Sequence, residues 1–119
     1  MSTYSNQFYS QINQGQVAQA YFVDKIYNHT KTEGFFIEAG AVDGERLSNT
    51  IFLELERQWT GLLVEPNPEL YEILLTRKRK VWSIGHCLSM SPRPENVLFD
   101  AVDIFGGILQ KGACKDSRL

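Results

Sequence analysis

Two short apolar runs, each ending in a glutamate, constrain the fold of this chain more than any other feature. Phe35 to Glu38 reads FFIE, and Leu62 to Glu65 reads LLVE. Between them lie a glycine-punctuated stretch, Gly40 to Gly44, and a segment with helical spacing of apolar residues. Such runs are typical of strands in parallel sheets, and a helix between two of them predicts a βαβ unit. An acid would then stand at the carboxyl end of each strand, where ligands bind in open α/β sheets.

The flanking segments continue this alternation of helix and strand. The predicted helices span Gln16 to His29, Ser48 to Gln58 and Pro68 to Lys80, and the third strand spans Val81 to Leu88. Ser48 and Asn67 are the expected N-caps, and we expect the strand Phe35 to Ala39 to be covered on both faces. The core positions expected on the second helix are Ile51, Phe52, Leu55 and Trp59. The αβαβαβ order predicts three parallel strands with flanking helices.

Composition excludes several classes of protein. The chain has 119 residues with 43% hydrophobic and 22% charged side chains, values that fit a single globular domain. A net charge of -2 gives no electrostatic argument for nucleic acid as a partner. No apolar run reaches the roughly 18 to 20 residues of a membrane helix, and the polar N-terminus differs from a signal peptide, so we expect a cytoplasmic chain. Cys87 and Cys114 lack disulfide or zinc spacing, which predicts reduced thiols and no metal.

Three segments carry weaker patterns. Residues 1–15 are predicted to form an N-terminal arm, 16–107 the domain and 108–119 a C-terminal tail, with Asn96 to Phe105 extended. Asn28-His29-Thr30 matches a glycosylation acceptor, which we interpret as a chance match in a chain without a secretory signal. The basic run Arg77 to Lys80 is interpreted as cations favoured at a helix C-terminus rather than as a phosphate patch.

The candidate site combines the glycine turn with the acid that ends the second apolar run. Small residues at Gly40 and Gly44 let a backbone approach a ligand, and the following helix N-terminus favours an anionic group. Glu65 follows Gly44 by 21 residues, so its carboxylate could accept hydrogen bonds from both ribose hydroxyls. Glu38 either joins this site or braces the turn through backbone N–H groups. Gly85 to Leu88 would pass the nucleoside base.

The turn also separates classes of cofactor. A dinucleotide site would show G-x-G-x-x-G, whereas this turn is G-x-x-x-G preceded by an acid, which fits S-adenosylmethionine better than a pyrophosphate. His86 and Cys87 lack the partners that would activate a base or a nucleophile, and no catalytic residue is assigned. Because the turn lacks the G-x-G-x-x-G spacing, a nicotinamide-dependent enzyme is the less favoured alternative.

Three segments in order, GFFIEAGAVDGERLSNT, WTGLLVEPNPELYEILL and KVWSIGHCLS, resemble the FkbM-type methyltransferase domain, and in particular its animal Star-like branch. The similarity spans roughly Gln16 to Gly107. It implies a Rossmann-like class I methyltransferase fold that binds S-adenosylmethionine. The residues it implies near the methionine moiety are Gly40, Asp43 and Gly44, and those near the adenosine are Glu65, Asn67, Cys87 and Leu88.

The sequence departs from the family pattern at one point, and this departure affects the function that we expect. The family continues into a fourth strand with a signature like D-x-E-G-x-E, which nothing after Leu88 reproduces. In the implied strand order the fourth strand pairs with the first and forms the acceptor wall, so we expect a partial, truncated domain with an exposed first-strand edge.

Two functions follow from the resemblance. The first is methyl transfer to an oxygen of a small-molecule, glycan or lipid-type acceptor, inactive if the acceptor wall is absent. The alternative is a non-catalytic Star-like module that binds a protein partner in secretory-pathway trafficking, with a membrane anchor outside this chain.

Overall fold

Helices and strands alternate between residues 19 and 84, as the sequence predicted. The computed structural model describes residues 18–89 and 91–109. In chain order the elements are α1 (Gln19–Ile26), β1 (Phe35–Ala39), α2 (Ile51–Arg57), β2 (Thr60–Val64), α3 (Pro68–Thr76), β3 (Trp82–Ile84), β4 (Phe99–Asp100), a 3-10 helix (Asp103–Phe105) and β5 (Gly107–Ile108). The predicted arm, residues 1–15, and the tail beyond residue 109 lie outside the described residues.

The first three strands form one parallel sheet, which confirms the predicted α/β architecture. Its order is β1-β2-β3, so β2 is central and β1 lies at an edge. The register aligns Ile37 of β1 with Leu62 of β2, and Leu62 with Trp82 of β3. The third strand is shorter than predicted, because only Trp82–Ile84 pairs with β2.

The hydrophobic core lies on one face of this sheet. Phe36 of β1 and Leu63 of β2 point into it, and residues of all three helices pack against them. The buried members of the cluster are Ala20, Phe36, Ala41, Ile51, Phe52, Leu53, Trp59, Leu63 and Leu74. The two connecting helices, α2 and α3, therefore lie on the same face, as connections of one hand between neighbouring parallel strands require. The first helix, α1, adds Ala20 to the same layer.

The prediction that β1 is covered on both faces is wrong. Burial alternates along the strand, with Phe36 and Glu38 buried but Phe35 55% and Ile37 65% exposed. The physical reason is that α1, α2 and α3 contribute their buried residues to the core on the other face. Within the described residues, Phe35, Ile37, Leu62, Trp82 and Ile84 line the uncovered side, called here the open sheet face.

The second helix differs from its prediction at its start and on one side. It begins at Ile51 rather than after Ser48, although the Ser48 hydroxyl still accepts a hydrogen bond from the Ile51 amide at 3.2 Å. Ile51, Phe52 and Trp59 are buried as expected, but Leu55 is 37% exposed. The helix is only seven residues long, and Leu53 takes a place in the core that was assigned to Leu55.

The segment after the sheet forms a small separate ribbon. The expected extended stretch Asn96 to Phe105 contains only the two-residue strand β4, followed by the 3-10 helix. β4 pairs antiparallel with β5, through Phe99 opposite Ile108. The ribbon does not join β1, so the sheet edge at β1 stays unpaired within the described part of the chain.

No helix within residues 18–89 and 91–109 is long and apolar enough to cross a membrane. These ranges also contain no group of three or more His, Cys, Asp or Glu side chains that could hold a metal ion. Cys87 is a free, half-buried thiol, and Cys114 lies outside the described residues.

Candidate functional site

The carboxyl ends of β1 and β2 meet under the segment 40–47, called here the glycine turn. The Val64 carbonyl at the end of β2 accepts hydrogen bonds from the Gly40 amide at 2.8 Å and from the Ala41 amide at 3.0 Å. The two adjacent carboxyl ends and the turn above them therefore form one unit, at the position where open α/β sheets bind ligands.

The two glycines of the turn have different roles. Both have a positive φ, 77° at Gly40 and 83° at Gly44, which favours a residue without a Cβ. A Cβ at Gly40 would have no heavy atom within 4 Å, whereas one at Gly44 would lie 3.1 Å from the Leu74 side chain. Gly40 therefore borders open space where a ligand could approach the backbone, while Gly44 allows α3 to pack beneath the turn.

Two other residues of the turn adopt left-handed backbone conformations. Val42 has φ 56° and Leu47 has φ 61°. A β-branched residue at positive φ is rare and costs on the order of 1 to 3 kcal/mol, so such a residue persists where surrounding contacts fix it. The Val42 amide is fixed by Glu65, which accepts its hydrogen bond at 2.7 Å.

Glu65 lies at the end of β2, where the sequence placed the ribose-binding acid. Its side chain is buried, with the residue 4% exposed. One carboxylate oxygen accepts from the Val42 amide, and the other accepts from the Asn67 amide at 2.8 Å. A carboxylate oxygen has two lone pairs, so each oxygen of Glu65 keeps acceptor capacity beyond this one hydrogen bond.

Glu38 is the next-to-last residue of β1, and its side chain binds the segment that leads into α2. Its carboxylate accepts hydrogen bonds from the Ser48 hydroxyl at 2.9 Å, from the Asn49 amide at 2.8 Å and from the Thr50 hydroxyl. Of the two roles left open by the sequence, this geometry is that of a brace. The residue is buried, so these donors replace the hydrogen bonds that water would make to its carboxylate.

Asp43 organises the turn from within. One carboxylate oxygen accepts from the Glu45 amide at 3.0 Å and from the Arg46 amide at 2.7 Å, and the other lies 3.2 Å from Arg77. Burial raises the pKa of this carboxyl, but the two backbone hydrogen bonds and the charge of Arg77 outweigh it, so the pKa lies below its ordinary value. Asp43 is therefore ionised at neutral pH and bonded to protein groups.

The other residues implied at the adenosine end are spread along two segments. Asn67 is buried and its side chain caps α3 by accepting from the Glu69 amide at 3.1 Å, as the sequence predicted for a cap. Cys87 is half-buried and Leu88 is largely exposed, beyond the end of β3. Gly85 brings this segment against the Tyr71 ring, since a Cβ there would lie 2.6 Å from it.

Sequence reasoning missed the role of two arginines in the basic run. Arg77 lies 3.2 Å from Asp43 and 3.6 Å from Glu45, so it pairs with the glycine turn. Arg79 forms a buried ion pair with Glu54 of α2 at 2.5 Å and donates to the Gly44 carbonyl. The only sequence signal for these contacts is that arginine and lysine alternate in the basic run. The two arginines are less exposed than the two lysines.

A second buried ionic cluster lies away from the glycine turn, between α1 and α2. Asp24 accepts two hydrogen bonds from Arg57, at 2.7 and 2.9 Å, and its carboxylate also lies 2.7 Å from His29 Nδ1. These contacts join α1 to the end of α2, and nothing in the spacing of the sequence predicted them.

Comparisons with family models, curated proteins and solved structures gave no significant match to this chain.

Proposed function

We propose that this chain binds S-adenosylmethionine at the carboxyl ends of β1 and β2, in a Rossmann-like methyltransferase arrangement. The observation that carries the proposal is the pairing of an open backbone position with a buried acid. Gly40 borders free space at the end of β1, and Glu65 lies at the end of the adjacent parallel strand, linked to the same turn through Val42.

The residues present fit this cofactor in part. Gly40 offers close backbone approach, and the second lone pairs of Glu65 suit the two ribose hydroxyls. Gly44, Glu38 and Asp43 support the turn from inside, through Leu74, Ser48 and Arg77. Their part in the proposed site is to hold the turn in shape.

The proposed chemistry is methyl transfer to an oxygen. When bound, S-adenosylmethionine supplies a sulfonium methyl, which an acceptor oxygen takes while the sulfur keeps the electron pair of the broken bond. The main contribution of such a protein is alignment of acceptor and methyl, and a base would remove the acceptor's proton. We assign that base to no residue of the described part of the chain. The main proposal is therefore that the chain binds the cofactor, and methyl transfer is the secondary proposal.

The test changes the ligand, because Glu65 also holds two backbone amides and its substitution would disturb the fold. Titration calorimetry compares S-adenosylhomocysteine with an analogue that lacks both ribose hydroxyls. We expect at least a tenfold loss of affinity for the analogue, since a hydrogen bond to a charged group contributes about 1.5 to 3 kcal/mol. Equal affinities would show that Glu65 does not bind the ribose hydroxyls. Tighter binding of NAD than of S-adenosylhomocysteine would favour the nicotinamide alternative.

A second candidate function is a non-catalytic, Star-like protein-binding module, and the open sheet face favours it. Phe35, Ile37, Trp82 and Ile84 are each at least 40% exposed on that face. With aromatic side chains of 150 to 250 Å², the face offers on the order of 400 Å² of apolar surface. Two facing copies would approach the roughly 1,000 Å² of a specific interface. We therefore take a second copy of this chain as the partner.

Sedimentation equilibrium over a concentration series tests this candidate. We expect the parent chain to form dimers, and Ile37→Lys to be monomeric because a charge in the centre of an apolar interface is costly to bury. Leu75→Lys is the control, since Leu75 is similarly exposed but lies on α3. A monomeric parent throughout the series, or dimers in both variants, would contradict this assignment of the face.

A further inference from the structure

Arg79 lies between α3 and β3 and contacts three separate parts of the protein. Its side chain is 5% exposed. It pairs with Glu54 of α2 at 2.5 Å, donates to the Gly44 carbonyl in the glycine turn, and donates to the Thr50 hydroxyl at 3.2 Å. Only an arginine has a planar group with donors directed to three partners at once.

The contact with Thr50 extends this arrangement to the end of β1. The Thr50 hydroxyl accepts from Arg79 and donates to the Glu38 carboxylate. Glu38 in turn accepts from the Ser48 hydroxyl at 2.9 Å. A continuous buried chain of hydrogen bonds therefore runs from Arg79 to the two ends of the segment between β1 and α2.

Glu54 binds Arg79 at the other end of this series of hydrogen bonds. One of its oxygens pairs with Arg79, and the other accepts from the Lys80 amide at 2.8 Å. The pair holds the backbone after α3 against α2, which fixes where the guanidinium points. Burying two charges is costly unless the remaining donors and acceptors are satisfied, and here both partners make additional hydrogen bonds.

The bond to the Gly44 carbonyl bears on the shape of the proposed site. Gly44 has φ 83° and lies in the glycine turn, four residues after the open position Gly40. Glu65 fixes the turn at Val42, and Arg77 fixes it at Asp43. Arg79 supplies the remaining contact, at the far end of the G-x-x-x-G stretch.

We propose that Arg79 is a positioning residue of the candidate cofactor site, which fixes the Gly40–Gly44 backbone through the Gly44 carbonyl and the Thr50–Glu38 hydrogen bonds. The inference rests on the proposed function for its effect on ligand affinity, but its effect on the turn can be measured without ligand. Arg79 does not touch the open space at Gly40, so it acts through the backbone that borders that space.

The experiment compares Arg79→Lys with Arg57→Lys. Both keep the positive charge beside a buried carboxylate and lose the planar guanidinium, but Arg57 lies at the Asp24 cluster. Amide hydrogen exchange of Val42 and Gly44 is followed by NMR. The reference is the Leu109 amide, which donates to the Leu98 carbonyl at 2.8 Å in the ribbon and contacts neither arginine. We expect Arg79→Lys to speed exchange in the turn by about tenfold relative to the reference, the factor that corresponds to about 1.4 kcal/mol. Arg57→Lys should leave the turn unchanged.

Affinity for S-adenosylhomocysteine provides the second measurement. Arg79→Lys is expected to bind about tenfold more weakly than the parent, and Arg57→Lys as tightly as the parent. Turn exchange that is unchanged in Arg79→Lys, or changed equally in both variants, would overturn the positioning role. If the parent itself does not bind the ligand, the cofactor proposal fails, while the exchange comparison still decides the role of Arg79.

Discussion

At the scale of single residues, Asp24 shows how a charge is kept buried in this fold. The residue is 4% exposed, and both of its carboxylate oxygens accept hydrogen bonds from Arg57. These bonds hold the pKa of Asp24 below its ordinary value of 3.8, with a smaller contribution from His29 that acts in the same direction, against the effect of burial.

This lowered pKa predicts a loss of stability in acid. Because the folded-state pKa is depressed, the stabilisation from Asp24 is present above its unfolded-state pKa of about 3.8 and is lost as the pH falls through the lower folded value. Urea denaturation of the parent and of Asp24→Asn is measured from pH 7 to pH 2. We expect the difference between their free energies of unfolding to be constant above about pH 5 and to shrink below pH 3.8. A constant difference down to pH 2 would contradict the assignment.

At the scale of elements, the pairing of β1 with β2 depends on a glycine. Gly61 lies opposite Phe36, and a Cβ on Gly61 would lie 2.4 Å from the Phe36 ring and 2.5 Å from its carbonyl oxygen. The ring of Phe36 therefore packs directly over the backbone of the neighbouring strand. Since the carbonyl is part of the sheet, it cannot move aside without disturbing the strand pair.

Gly61→Ala is expected to destabilise the protein by about 1 to 3 kcal/mol, the usual cost of overpacking a core. Gly107→Ala is the matched control, because a Cβ on Gly107 would have no heavy atom within 4 Å. It should change stability by less than about 1 kcal/mol. Chemical denaturation at neutral pH measures both. Equal stability of Gly61→Ala and the parent would show that the strands separate more easily than this packing implies.

The elements most accessible from sequence were those with strong local signals. β1 coincides with its predicted span, β2 forms at the second apolar run, and α3 begins at Pro68, directly after its Asn67 cap. The shortened β3 and the ribbon of β4 and β5 were not predictable in the same way. Their extent depends on which strand each segment pairs with, and apolar composition alone does not specify pairing.

At the scale of the whole molecule, the sheet is an asymmetric layer. Helices contribute to a core on one face, and the open sheet face and the edge of β1 lie uncovered within the described residues. The exposed edge was predicted, because the sequence lacks the family's fourth strand. The same sequence predicted, wrongly, that β1 is covered on both faces. An apolar run indicates a strand that could be covered on both sides, and it carries no information about whether a covering layer is present.

For the candidate site, too, some features were predictable from the sequence and others were not. The position of the glycine turn between the ends of two parallel strands was predictable from residue spacing, and the role of Glu65 as ribose ligand stays a prediction. The interior supports of the turn were not predictable, because Arg79 reaches Gly44 across 35 residues of sequence. Such contacts arise from tertiary packing and leave no local pattern.

In the proposed site, a nucleoside cofactor binds beside Gly40. Calorimetric titration of S-adenosylmethionine into the parent, Gly40→Asn and Gly107→Ala tests it most directly, with circular dichroism to verify folding. Asn tolerates positive φ better than most residues with a side chain, and its side chain enters the open space at Gly40, so it blocks the site at a limited cost in backbone strain. We expect one binding site per chain in the parent and in Gly107→Ala, and at least about tenfold weaker binding in Gly40→Asn. A folded parent without binding, or equal affinity in Gly40→Asn, would contradict it.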